Sequence, residues 1–133
     1  MRAVAVILLL SACTTLPREI PTVEEGAEPL PDPMHMGVQT IMIDDELAQF
    51  RVAIDRPRAS SDIDAYTDCA AAQYADIRGY GYARRIRTNI DQRGRAWVAD
   101  AVYALSKDAP NGERVIDARP TIAACKASGI PTV

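Results

Sequence analysis

The first twelve residues limit how much of this chain can fold. Arg2 is followed by an unbroken apolar run at residues 3–10 and then by the small residues Ser11 and Ala12, which is the layout of an export signal. A helix of eight residues covers about 12 Å of a hydrocarbon core that is about 30 Å thick, so the run is too short to span a membrane. We therefore expect residues 1–12 to be a signal peptide that is removed.

The end of this segment, Leu10-Ser11-Ala12-Cys13, has an aliphatic residue, two small residues and a cysteine in order. It resembles the lipobox of bacterial lipoprotein precursors. The resemblance implies that Cys13 receives a diacylglyceryl group, becomes the first mature residue and attaches the protein to the membrane through palmitate-type acyl chains. Each buried CH₂ contributes about 0.8 kcal/mol, so two or three chains anchor a protein stably. The alternative is an ordinary secretory signal peptide, with Cys13 as a bystander.

A pair of threonines follows Cys13, where the enteric version of that family uses Asp to retain proteins in the inner membrane. The resemblance therefore implies an outer-membrane lipoprotein of the cell envelope whose soluble part faces the periplasm.

Residues 13–37 form a tether between this lipidated cysteine and the rest of the chain. Five prolines alternate with five acidic residues, against a single arginine. Proline removes backbone donors and like charges repel, so we expect a stiff, solvated arm. A docking peptide for a partner is the alternative. One domain remains, at residues 38–133.

The charges and cysteines of this domain indicate which partners and which cross-link to expect. It carries 13 acidic and 13 basic side chains, so the net charge of −3 comes from the tether, and a nucleic-acid partner is not expected. Cys69 and Cys125 are an even number of cysteines in a small exported domain, which predicts a disulfide. Two independent buried thiols are the alternative.

Hydrophobic periodicity predicts two hairpins separated by a helix. Residues 38–43 and 47–55 form the first hairpin, around an acidic turn at 44–46. A helix begins at Ser60 or Ser61 and ends at Gly79, with its buried face formed by Ile63, Tyr66, Ala70, Gln73 and Ile77.

The second hairpin joins residues 82–90 to residues 95–105, and the latter strand is expected to be central and covered on both sides. Residues 113–118 form a short edge strand and residues 121–128 a short helix. The fold class is α+β, an antiparallel sheet of four or five strands with one main helix on one face, in the order β-β-α-β-β(-β).

The sequence indicates no catalytic residue, no cofactor and no metal site. His35, the only histidine, lies in the tether. A Ser-His-Asp or Cys-His catalytic site, which needs an imidazole base, is therefore not expected within the domain. Met34-His35-Met36 offers soft ligands of the kind that suit copper, and Asp44-Asp45-Glu46 offers carboxylates to a cation. We favour packing of the methionines on the domain and a solvated acidic turn.

Tyr82, Arg84, Arg85 and Arg87 form the one cluster that suggests binding. Alternation places Arg85 and Arg87 on one face of the strand, and Tyr82 and Arg84 on the other. Arginines of an exported domain can bind lipid or lipopolysaccharide phosphates or peptidoglycan carboxylates. The alternative is a solvated face whose arginines pair with acids such as Asp76, Asp91 and Asp100.

Two functional hypotheses follow. The first is a non-enzymatic lipoprotein that binds or structures an envelope protein or glycan. The second is a lipid-tethered enzyme that uses Asp100 or another carboxylate as acid and base. The lack of histidine in the domain favours the first, and the sequence does not identify a substrate or partner.

Overall fold

The computed structural model describes residues 29–131 of the chain. Their elements are β1 (Met34–Asp44), β2 (Leu47–Asp55), α1 (Ser60–Ile77), β3 (Tyr82–Arg93), β4 (Ala96–Ser106), β5 (Val115–Asp117) and α2 (Ala118–Ala127). The five strands form one sheet in the order β1-β2-β4-β3-β5, and every pairing is antiparallel. The predicted α+β architecture is confirmed. The signal peptide, the lipidation site Cys13 and the tether up to residue 28 lie outside the described residues.

The core lies between α1 and one face of the sheet. Phe50 of β2 is fully buried, and its ring centroid lies 5.7 Å from those of both Tyr74 and Tyr103 in edge-on geometry. On the helix, Ala71 and Ala75 are also fully buried. Small residues let a helix backbone approach a sheet closely, so the large rings of the sheet fill the space between the two layers.

Within residues 29–131, helices cover only that face of the sheet. In β4, Ala99, Ala101 and Tyr103 point toward α1 and are fully buried, whereas Asp100 points the other way. The second helix, α2, packs against α1 and β5, so no described helix covers the opposite side. The prediction that β4 is covered on both sides is wrong. We call the uncovered side the open face, and it includes Gln49, Arg51, Arg84, Arg87 and Asp100.

Several boundaries differ from the sequence-based expectation. β1 begins at Met34 and not at residue 38, because Met34 and His35 already pair with the end of β2. The second hairpin turns at Gly94, where φ is +63°, which shortens the predicted turn. Ile77 is 71% exposed, which contradicts its predicted burial, because the buried stripe of α1 passes through Ala71 and Ala75 and leaves Ile77 on another side.

The two helices are joined through their cysteines. Cys69 of α1 and Cys125 of α2 are both buried, their Cα atoms are 6.0 Å apart, and their sulfur atoms lie at bonding distance. The other buried residue of α2 is Ala118, so the cysteine pair is a major part of what holds this helix. Within residues 29–131, neither helix is long and apolar enough to cross a membrane.

Candidate functional site

Arg85 lies at the centre of a charged cluster between β3 and α1. Its Nη1 donates to Asp64 Oδ1 at 2.9 Å, its Nη2 to Asp68 Oδ1 at 2.6 Å, and its Nε to the Tyr103 hydroxyl at 3.0 Å. The Tyr103 hydroxyl in turn donates to Asp68 Oδ1 at 2.5 Å. The two carboxylates are four residues apart on α1, which places them on one face of the helix. The cluster therefore fastens the helix to the sheet.

Burial and charge act in opposite directions on Arg85. Burial disfavours its charged form, but the hydrogen bond to Asp68 and the charges of the neighbouring acidic groups outweigh this, so the pKa of Arg85 is raised above its usual value. Burial raises the pKa of Tyr103, and the adjacent Asp68 carboxylate raises it further. Arg85 is therefore a permanent cation, and Tyr103 stays a neutral hydrogen-bond donor.

A cleft of about 490 Å³ opens beside this cluster, between α1 and the outer part of β3. Its lining includes Asp64, Asp68 and Arg85, with Thr88 and Arg114 beside them. The Arg85 guanidinium forms ion pairs with both carboxylates, Asp64 and Asp68, in the wall of the cleft. This arrangement supports a structural role for the cluster rather than a role in proton transfer.

The structure separates the four residues that the sequence grouped together. β3 and β4 lose register between Arg85 and Arg87, so that Ile86 is an extra residue in a β-bulge. Arg85 pairs with Tyr103 on the helix side, whereas Arg87 pairs with Val102 on the open face. The prediction that Arg85 and Arg87 share a face is therefore wrong, because it assumed uninterrupted alternation.

Tyr82 and Arg84 precede the bulge and lie on the open face with Arg87. Asp100 lies at the centre of that face, and two arginines, Arg51 and Arg87, lie near its carboxylate. Gln49 Nε2 donates to Asp100 Oδ2 at 2.5 Å. Arg51 Nε lies 3.7 Å from Oδ2, and Arg87 Nη2 lies 3.4 Å from Oδ1. Sequence reasoning did not include Arg51 or Gln49, because they are not clustered with other charged residues in the sequence and their partner Asp100 is about fifty positions away.

Of the other acids expected to pair with the strand arginines, Asp91 does so, whereas Asp76 pairs with an arginine of α2. Arg93 Nε donates to Asp91 at 2.8 Å, and Arg119 lies 3.7 Å from Asp76. These two pairs are exposed and contribute little to stability. The Arg93–Asp91 pair at the turn end of β3 fits a solvated strand face, whereas the centre around Asp100 carries more cations than anions.

The Met34-His35-Met36 segment does not gather into a ligand set. The His35 ring lies against Tyr66 of α1 with 4.6 Å between centroids, while both methionines are exposed. Within the described residues, no three His, Cys, Asp or Glu side chains converge at a site that could hold a metal ion.

His35 makes stability depend on pH. Burial disfavours its charged form more than the nearby Asp62 favours it, so the pKa of His35 is lowered from its usual value. As the pH falls below about 6.5, the unfolded chain binds a proton before the folded one does. We expect the free energy of unfolding to decrease through this range and to level off below the folded-state pKa. Urea titrations of the wild type and of His35→Asn should show a smaller slope between pH 5.5 and 7.5 in the variant; equal slopes would contradict the assignment.

Comparison with known proteins places the chain in a family. The family described as the YNQ4 C-terminal domain matches residues 35–129, which include the whole sheet apart from the first residue of β1, and both helices. The chain belongs to this family. Its YNQ4 C-terminal domain therefore carries both the Arg85 cluster and the open face.

A curated relative shares part of this domain. The chain is 45% identical over 67 residues to the "Uncharacterized 26.9 kDa protein in nqo8 5'region" of Paracoccus denitrificans. The aligned part is 50% of this chain and 26% of that protein, so the match spans about a quarter of the relative's length. No solved structure matches the chain significantly.

Proposed function

We propose that this chain is a lipid-anchored, periplasm-facing binding module of the bacterial envelope, which captures an anionic group of another envelope component and does not turn it over. The lipobox-like Leu10-Ser11-Ala12-Cys13 supports the anchor. The threonines after Cys13, where an acidic residue would favour the inner membrane, support attachment to the outer membrane. The observation that carries the binding role is the pair Arg51 and Arg87 on the open face, which share the single carboxylate of Asp100.

Both guanidinium groups are available to a ligand. Their distances to Asp100, 3.7 and 3.4 Å, exceed the usual hydrogen-bond length, and their side chains are 49% and 48% exposed. Two cations around one anion leave a positive centre, and Arg84 lies on the same face beside Arg87. A carboxylate or phosphate matches the planar donors of a guanidinium. Peptidoglycan carboxylates are an abundant ligand of this kind in the periplasm.

Binding is favoured over catalysis by the surroundings of Asp100. Three side chains converge on this carboxylate, and His35 lies on the other side of the sheet. Gln49 donates a hydrogen bond to this carboxylate, and its negative charge attracts Arg51 and Arg87 to the centre of the open face.

The test is co-sedimentation of the full chain, held in phosphatidylcholine nanodiscs, with purified peptidoglycan sacculi. Replacing Arg51, Arg84 and Arg87 together by Gln should weaken binding by about tenfold or more, since charge-assisted contacts each contribute on the order of 1 kcal/mol. Arg85 is left in place, because its substitution would disturb the cluster that fastens α1. The matched control replaces Lys107, Arg119 and Lys126 by Gln, which removes the same charge elsewhere. Equal binding by both variants, or an equal loss in both, would sink the proposal.

A further inference from the structure

The cleft between α1 and β3 has a size and a lining that suit a small ligand. Its volume of about 490 Å³ lies within the range of small-molecule sites. Helix α1 contributes Asp64 and Asp68 to its lining, and the segment before β5 contributes Arg114. Strand β3 adds Thr88 and Ile90. Acidic and basic side chains from different elements therefore line one partly apolar cleft.

The two carboxylates on α1 keep part of their bonding capacity. The hydrogen bonds from Arg85 and Tyr103 reach the Oδ1 atoms of Asp64 and Asp68, and no side chain within residues 29–131 donates to their Oδ2 atoms. The two acidic side chains are 37% and 28% exposed. Two carboxylates share one guanidinium, so one negative charge remains. An ammonium group, which only donates hydrogen bonds, suits the remaining oxygens.

Arg114 is a cation of the same cleft that has no anionic partner. Its guanidinium forms no ion pair in the part of the chain that the structure describes. Its φ of +58° is rare for a residue other than glycine, and such strain is common at ligand sites. The Arg85 N–H donates to its carbonyl at 3.1 Å, which holds Arg114 beside β3. A carboxylate matches the planar donors of a guanidinium.

The β3 side of the cleft also lacks a partner group. Thr88 Oγ1 is buried and has no hydrogen-bond partner within residues 29–131, whereas most buried polar atoms in proteins have one. Ile90 is 37% exposed and offers apolar surface beside it. A ligand with a polar backbone and a small apolar side chain would fit both features.

We propose that this cleft binds an amino acid or a short peptide through both of its charged ends. The ammonium group lies on Oδ2 of Asp64 and Asp68, and the carboxylate lies on Arg114. The acidic pair would repel a simple anion, and Arg85 and Arg114 would repel a metal cation. A zwitterion is the class of ligand that pairs both unmatched charges. The cleft is on the helix side of the sheet, so this proposal does not depend on what the open face binds.

The experiment is a saturation-transfer NMR titration of the full chain, held in phosphatidylcholine nanodiscs, with dialanine and trialanine. At least one of them should bind with a Kd below about 10 mM. Its N-acetylated form lacks the ammonium group and its carboxamide lacks the carboxylate, so each should bind about tenfold more weakly or less. Absence of binding by both free peptides, or equal binding by the blocked forms, would overturn the proposal.

A variant of the cleft tests the position of the ligand. Arg114→Gln should weaken binding of the free peptide by about tenfold and abolish the difference between this peptide and its carboxamide. Arg119→Gln, the same change on an exposed side chain of α2, is the matched control and should leave binding unchanged. So should the open-face variant that replaces Arg51, Arg84 and Arg87. Arg114 is exposed, and thermal unfolding close to that of the wild type would show that its variant folds. Undiminished binding by the folded Arg114→Gln protein would contradict the proposal.

Discussion

Replacing Cys69 and Cys125 together by Ala should lower the free energy of unfolding by about 3 kcal/mol. The pair closes a loop with a sequence separation of 56, and the chain-entropy model gives about 4 kcal/mol for a loop of this length, reduced in practice by residual structure in the denatured chain. Urea unfolding measures the loss. The rate of amide hydrogen exchange should increase most in α2, because Ala118 is the buried residue of this helix besides Cys125.

Reduction of the wild type is the matched control for this variant, since it opens the same link without changing the sequence. The reduced wild type and the double variant should unfold at similar urea concentrations. A reduced protein as stable as the oxidised one would show that the cysteine pair does not hold α2 to α1.

Replacing Arg85 by Met should cost about 2–3 kcal/mol of unfolding free energy. Methionine keeps an apolar stem of similar length, but it leaves Asp64 and Asp68 without their cation and Tyr103 without the donor at its oxygen. The loss is below the 3–5 kcal/mol of a fully buried pair, because the two carboxylates are partly exposed.

Arg84→Met supplies the comparison for this prediction. It makes the same chemical change one residue earlier in β3, on the open face, and should alter stability by no more than about 0.5 kcal/mol. Chemical denaturation of the two variants under one set of conditions decides the matter. Equal losses would mean that the Arg85 cluster contributes no specific stability.

The fold was predictable where one face of an element is buried. Phe50, Val52 and Ile54 alternate with polar or small residues because their strand has one side on the core, so the first hairpin is readable from the sequence. The register of α1 was less readable, since alanines mark both its buried and its partly buried positions. Ile77 was assigned to the core because of its hydrophobicity, whereas Ala75 occupies the buried position.

The candidate sites were predictable only in part. The arginines of β3 were found because they cluster in the sequence. No glycine or proline marks the bulge at Ile86, so Arg85 and Arg87 were wrongly assigned to one face of the strand. Arg51 was missed because it approaches Asp100 only through strand pairing. The Arg85 cluster had one usable signal, the four-residue spacing of Asp64 and Asp68 on a predicted helix.

The proposed function depends first on membrane attachment, and the intact mass of the protein extracted from membranes tests that most directly. The account predicts a chain that has lost residues 1–12 and carries an acylglyceryl group on Cys13. Its mass should increase by that of two hydrogen atoms when the Cys69–Cys125 pair is reduced. An unacylated chain, or one that begins at another residue, would contradict it.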